Sequence, residues 1–358
     1  MSNGQVRMVV IGCGRVAEHY RKILLSGAVT GWKMAGCCDP LRERAAEFAG
    51  HFKAPCFTDY VEMLKECMPQ LVLVLSPSGS HYAYTRIALE HGIHVLSEKP
   101  LAMLPSEARE IVSLAKEKKL MCAVAFQNRL NPAIQCVRRA LQAGRFGQVV
   151  TGTVRVRWCR RQNYYQDGWH GTWAQDGGVI NQQALHHVDV LNWLLGPAES
   201  VCAMTSNRVN RLEAEDTLVA AVRFKSGALG TIEATTGACE DAEASLSVVG
   251  AEGLAVVGGI ALNRIEAWRF VDSLPEDAKA PAMFSQDVPN GLGLSHGPLL
   301  QEVLLTIGRG GIDPPVSAFD AIETTDLVHA LYRSDEDRGW ISLASKPISK
   351  RLGKGHTK

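Results

Sequence analysis

Residues 6–17 read VRMVVIGCGRVA, a β-branched apolar run followed by GxGxxA and then by a helical pattern through Leu25. Few folds accept that order. Gly12 permits a tight turn, Gly14 lets backbone approach a pyrophosphate, and Ala17 keeps strand and helix close. Arg15 and Val16 open the helix whose N–H groups and dipole favour phosphate. The run predicts the first turn of a doubly wound parallel sheet with a dinucleotide at its carboxyl edge.

The next strand-like run, WKMAGCC, ends at Asp39. A carboxylate there accepts hydrogen bonds from an adenosine ribose diol and repels a 2′-phosphate, which favours NAD over NADP. Arg42 and Arg44 keep NADP open, and an aspartate before PLRERAAEF also reads as a helix cap. LVLVL at 71–75 has the continuous apolar character of a strand buried on both faces. Its carboxyl end, carrying Ser76, Ser78 and His81, points where ligands lie in such sheets. The strand HVLS then ends at Glu98-Lys99-Pro100, beside the same crevice.

At 358 residues the chain exceeds what one core holds, about 250–300 residues. Two domains are expected, at 1–122 and 123–340, with a basic tail at 341–358. A net charge of +1 offers no general attraction for nucleic acid or anionic membrane. No cationic leader opens the chain and no apolar run is long enough to span a bilayer, so a cytoplasmic protein is expected. The ten cysteines contain no CxxC pair and several lie in apolar runs, which predicts free core thiols in a reducing compartment.

In order and spacing, GxGxxA, EKP at 98–100 and GG…HxxD across 177–189 resemble the glucose–fructose oxidoreductase/inositol dehydrogenase/MocA family, over roughly residues 6–333. The resemblance implies an α/β fold: an N-terminal Rossmann domain, then an α/β domain with a large, mostly antiparallel open sheet. It implies hydride transfer between a nicotinamide cofactor and a sugar or cyclitol carbon. Lys99 and His186 would face the substrate, and the sheet would join subunits into a homodimer or homotetramer.

Helical geometry places Gln182, His186, Asp189 and Trp193 on one stripe and Ala184, Val188, Leu191 and Leu195 nearly opposite, predicting an amphipathic helix. His186 and His187 diverge by about 100° and cannot converge on one ion, so no metal site is expected. An acid–base role for His186 remains, with Asp189 either orienting it or pairing elsewhere to hold the helix. Gln182 stands where many family members carry aspartate. An amide takes no proton; its expected work is a hydrogen bond to a sugar hydroxyl or to the nicotinamide carboxamide.

The second domain opens near Ala123, and its polar loop QNRLNP presents Gln127, Asn128, Arg129 and Asn131 before a helix from Pro132 to Ala143. A loop then carries Arg160, Arg161, Tyr165 and Trp169, residue types suited to a polar, planar, anionic ligand. QNRLNP, RRQNYYQDGWHGTW and DGGVINQQALHHVD resemble the branch of the family that oxidises UDP-N-acetylglucosaminuronate and related UDP-sugars at C3. That branch often has arginine in place of His170 and asparagine in place of Gln182. DTLVAAVRF, KSG and ALGTIEATT form a hairpin; ASLSVVG, LAVVGG and NRIEAWRF continue a meander. Residues 273–295 read as an exposed loop, and His296, opening the next helix, is a candidate substrate contact. The rival readings are a free-sugar or cyclitol dehydrogenase, an NAD-dependent glycosidase using transient C3 oxidation, and a cofactor-binding sensor without turnover.

Overall fold

The computed structural model describes residues 4–354. The chain divides into two compact units, residues 1–126 with 296–322, and residues 127–295 with 323–358.

In the first unit, β1 (Val6–Ile11), α1 (Arg15–Leu25), β2 (Trp32–Cys38), α2 (Arg42–Gly50), β3 (Cys56–Phe57), α3 (Tyr60–Cys67), β4 (Leu71–Val74), α4 (His81–Glu90), β5 (His94–Ser97), α5 (Pro105–Lys118) and β6 (Cys122–Val124) alternate along the chain. All strand pairs are parallel, in the order β3-β2-β1-β4-β5-β6. That order reverses between β1 and β4, the switch point where doubly wound sheets hold ligands. The apolar run at β4 is buried throughout, as a central parallel strand covered on both faces requires.

In the second unit, α6 (Pro132–Gln142), β7 (Val149–Arg157), α7 (Leu185–Leu195), β8 (Ala198–Ser206), β9 (Thr217–Phe224), β10 (Leu229–Thr235), β11 (Glu243–Gly250), β12 (Gly253–Gly258), β13 (Arg264–Phe270) and α8 (Ala280–Phe284) follow. The chain returns to the first unit through α9 (His296–Gly308), then α10 (Ala318–Asp337) leads back to the second, where β14 (Ile341–Ser342) closes the order β13-β12-β11-β7-β10-β9-β8-β14. Among the described residues of this sheet, only β7 and β10 pair in parallel; the hairpin β9–β10 and the meander β11–β12–β13 have the expected antiparallel register. Burial alternates along β9 and β10, so one face of the sheet packs inward and the other is open.

Three expectations change. The Rossmann sheet keeps residues 123–126: Ala125 N–H donates to Ser97 O at 2.9 Å, and Val124 N–H donates to Val316 O at 3.2 Å. Residues 273–295 include a 3₁₀ turn (Asp277–Lys279) and α8 rather than loop alone, because Asp277 is clamped by both guanidinium nitrogens of Arg145. Residues 341–354 are built into the second unit: β14 pairs with β8, and Ser349 and Leu352 are buried. The last four residues of the expected tail lie outside the described residues. All ten cysteines are free, but only Cys37, Cys38, Cys122 and Cys136 are buried, and Cys239 is exposed.

Candidate active site

The glycine turn of the first unit is shaped by close approach. Gly12 has φ +90°, and a Cβ there would lie 2.6 Å from the Ser76 backbone. At Gly14 an added Cβ meets nothing within 4 Å, and no side chain caps the start of α1. Backbone approach and an open helix N-terminus are what a pyrophosphate needs. Asp39 is turned onto the same loop: Oδ2 accepts the Cys13 N–H at 2.9 Å and Oδ1 the Leu41 N–H at 2.9 Å. Its carboxylate thus fixes the glycine turn and the entry to α2.

His81 and Glu98, both expected at the cofactor, are buried braces. The His81 ring lies 2.7 Å from Ser76 O through Nε2 and 2.7 Å from Pro100 O through Nδ1, tying the β4 loop to the segment after β5. Ser76 Oγ accepts from the Ser80 hydroxyl at 2.8 Å, and Ser78 is buried. Glu98 Oε1 accepts the Tyr20 hydroxyl at 3.0 Å and faces His296 Nε2 at 3.5 Å. Burial raises the Glu98 pKa, but bonding to His296, the charge of Lys99 and the Tyr20 hydroxyl together hold it below the usual carboxylate range. Lys99 follows directly, joined to Pro100 by a cis peptide bond.

His296, expected as a substrate contact, is packed inside the first unit. It is 1% exposed, wedged edge-on against His19 at 4.7 Å and Tyr20 at 5.4 Å. It therefore braces Glu98 within the Rossmann unit.

In the second unit, residues 179–184 form turns and the regular helix begins only at Leu185. Ala184 N–H reaches back to Val179 O at 2.8 Å, five residues rather than four, and Asn181 Nδ2 donates to Asp176 O at 2.6 Å. Gln182 consequently stands on the approach to α7, not on its helical stripe. The helix is buried on nearly all sides; His186 and Trp193 are the half-exposed positions. Asp189 pairs elsewhere: it takes both Nε and Nη2 of Arg129, at 2.8 and 2.7 Å, and the Thr324 hydroxyl at 2.8 Å.

Arg129 and Asn131, both expected as substrate contacts, are tied into the second unit. The first is paired with Asp189, while the Asn131 amide donates to Ala261 O and Leu262 O and its carbonyl accepts the Ser295 hydroxyl. Gln127 Oε1 and Asn128 Oδ1 are buried acceptors with no hydrogen-bond partner among the described residues.

Sequence reading passed over Asp176, which is 1% exposed. Its Oδ2 accepts the Gly171 N–H at 2.8 Å and its Oδ1 accepts the Gln182 amide at 2.6 Å. The amide that stands at the family's aspartate position is thus backed by a carboxylate six residues upstream. A lone Asp before Gly-Gly gives no periodic signal by which to find it.

The arginine–aromatic loop is ordered by its own contacts. Arg160 bonds Cys159 O and Asp241 and lies over the Trp158 and Tyr164 rings. Arg161 is exposed and donates to Cys239 O, the Tyr165 hydroxyl meets Thr236 Oγ1 at 2.8 Å, and Trp169 stacks on His170 at 3.6 Å. His170 is held by Asp167 at 2.6 Å. Among the described residues, no cluster of His, Cys, Asp or Glu is placed to hold a metal ion, and no helix is long and apolar enough to cross a membrane.

Comparison with known proteins supplies the family. Residues 6–126 match the model described as an oxidoreductase family with an NAD-binding Rossmann fold, and residues 134–256 match the GFO/IDH/MocA C-terminal domain. The WlbA dehydrogenase from Bordetella pertussis, solved with NADH and UDP-GlcNAcA, superposes with a TM-score of 0.89 at 32% identity, covering 96% of this chain and 99% of that one. An NAD-dependent scyllo-inositol 2-dehydrogenase from Bacillus subtilis is 26% identical over 71% of this chain and 74% of its own length. A UDP-N-acetylglucosamine 3-dehydrogenase from Acidithiobacillus ferrooxidans is 32% identical over 38% of this chain and 41% of its own. With both halves matched, the chain belongs to the GFO/IDH/MocA family and is an NAD-dependent sugar oxidoreductase.

Proposed function

We propose that the enzyme oxidises the C3 hydroxyl of a UDP-linked amino sugar or its uronate, with UDP-N-acetylglucosaminuronate as the first candidate. The observation that carries this reading is the likeness, at 32% identity over nearly the whole chain, to a dehydrogenase solved with NADH and UDP-GlcNAcA. Support comes from the arginine–aromatic loop, whose Arg161 remains exposed at its rim, since arginine recognises carboxylate and phosphate in bidentate fashion.

The first-unit residues fit the cofactor: Gly12, Gly14 and the α1 N-terminus would hold its pyrophosphate, with Ser76, Ser78 and Asp39 shaping the surrounding loops. NAD supplies the hydride acceptor. In the forward direction His186 takes the proton of the C3 hydroxyl as the C–H bond breaks, leaving a ketone. By the family resemblance, Lys99 would supply the positive charge that opposes the negative charge developing on the reacting oxygen. Gln182, with its amide nitrogen committed to Asp176, offers its carbonyl oxygen to a sugar hydroxyl. The open face of the eight-stranded sheet, with Met204, Val219 and Leu229 exposed, suits a second copy of the chain.

A thermal-shift panel of nucleotide sugars and free sugars with NAD present tests the reading, because a selective ligand raises apparent stability by mass action. Selective stabilisation by UDP-sugars is expected. Equal or greater stabilisation by inositol or free glucose contradicts it and favours a cyclitol or free-sugar dehydrogenase.

A further inference from the structure

We infer that Glu215, with Tyr332, is the positioning residue that sets the backbone of residues 178–184 and so the placement of Gln182 and His186. Three consecutive amides of that segment are received by these two residues. Gly178 N–H donates to the Tyr332 hydroxyl at 3.0 Å, Val179 N–H to the Glu215 backbone carbonyl at 3.0 Å, and Ile180 N–H to Glu215 Oε1 at 3.1 Å. The Tyr332 hydroxyl in turn donates to Glu215 Oε1 at 3.0 Å. A closed set of donors and acceptors is thus made by a residue just before β9 and a residue of α10.

The next turn hangs from this anchor. Gln182 N–H returns to Gly178 O at 3.0 Å, and Gln183 and Ala184 N–H both return to Val179 O. Val188 N–H then reaches Ala184 O at 3.0 Å and starts the helix that carries His186. Contact is tight enough to exclude any side chain: a Cβ at position 178 would lie 2.1 Å from Glu215 Oε2 and 2.3 Å from its carbonyl oxygen. The second glycine of the Gly-Gly pair is therefore needed for the approach of Glu215.

Glu215 is 3% exposed, and its Oε2 has no hydrogen-bond partner among the described residues. Burial pushes its pKa up to about 7, partly countered by the Ile180 amide, its own backbone amide, the Tyr332 hydroxyl and the charge of Arg351. Those are the groups that face it; Asp176 acts on Tyr332 beside it. Glu215 and Tyr332 are both buried and bonded to residues 178–180, so their effect reaches the reaction through the segment they hold.

The test uses the full chain with Glu215→Ala, Glu215→Gln and Tyr332→Phe, read by amide hydrogen exchange over residues 177–184, by NADH affinity, and by kcat and KM on UDP-N-acetylglucosaminuronate. Glu215→Ala should raise exchange at Ile180 and lower kcat by about tenfold or more, the scale of one lost buried hydrogen-bond acceptor, with NADH affinity unchanged. Glu215→Gln keeps the accepting oxygen and should return both readouts to within about threefold of wild type, less than one hydrogen bond's worth. Should Glu215→Ala fail to fold, Tyr332→Phe carries the test, with faster exchange at Gly178 and reduced kcat in a protein that still melts cooperatively. Wild-type exchange and kcat in the alanine and phenylalanine variants, or a glutamine variant as impaired as alanine, would overturn the inference. The kinetic arm rests on the proposed function; if wild type turns over no UDP-sugar, that reading fails while the exchange arm still decides this one.

Discussion

Arg129 and Asp189 meet through two parallel hydrogen bonds, at 2.8 and 2.7 Å, with side chains only 7% and 0% exposed. The pair joins the 3₁₀ turn after residue 126 to the middle of α7, and the Thr324 hydroxyl adds a third bond to the same carboxylate. Removing one member leaves a buried charge uncompensated, a loss of about 3–5 kcal/mol. Arg129→Met should lower the melting temperature by roughly 10 °C, while Arg129→Met with Asp189→Leu should recover much of it. A single variant that melts with wild type contradicts this assignment.

The two fingerprint glycines should separate. Gly12→Ala forces a Cβ to 2.6 Å from the Ser76 backbone at φ +90°, so it should destabilise the Rossmann unit and abolish NADH binding. Gly14→Ala meets nothing within 4 Å and should leave the melting temperature nearly unchanged, yet weaken NADH by about tenfold or more if the pyrophosphate needs that approach. Fluorescence titration with NADH and a thermal melt distinguish the two.

Glu215 gives a signed pH dependence. Its folded-state pKa, pushed up to about 7, lies above the ordinary value of about 4.3. Its contribution to stability is therefore complete below the unfolded value and lost as pH rises through 7, amounting to at most roughly 4 kcal/mol. The wild-type melting temperature should fall relative to that of Glu215→Gln between pH 5 and pH 8 (about the span of the two values). Parallel profiles for the two proteins would count against it.

Lys99 and His186 should divide the chemistry. Lys99→Met and His186→Asn should each lower kcat by about 10²–10⁴, the usual range for a positioned acid–base or charge-stabilising group, while NADH still binds. Retained turnover in both would exclude them as catalytic residues.

Substrate choice should run through the arginine loop. Arg161→Ala should raise KM for UDP-N-acetylglucosaminuronate by about tenfold, the worth of one charge-assisted hydrogen bond, and raise it less for UDP-N-acetylglucosamine, which lacks the carboxylate. Equal effects on the two sugars would remove Arg161 from carboxylate recognition.

Much of the fold was legible because its signals are local. The glycine turn, the apolar run of β4 and the β9–β10 hairpin each carry their period or turn chemistry within a dozen residues. The parallel pairing of β7 with β10 was not, since nothing in either strand names a partner so distant in sequence. Lys99 and His186 stood out by motif, whereas Asp176, Glu215 and Tyr332 act through backbone amides and leave no spacing to read. Arg129, Asn131 and His296 have buried partners that no local signal announced. Polar residues near a motif look like ligands until burial and long-range partners are known. The start of α7 was placed too early because Gly177, with φ +75°, and the wide turn at Ala184 interrupt a pattern that sequence periodicity carries straight through.

The most direct measurement is a single turnover: enzyme with NAD, mixed with UDP-N-acetylglucosaminuronate, followed by NADH absorbance and by mass spectrometry of the sugar. NADH appearing in step with a sugar two hydrogen masses lighter, and far faster than with free glucose or inositol, is the predicted result. No NADH from any UDP-sugar, alongside ready reduction by a free sugar or cyclitol, would contradict the account.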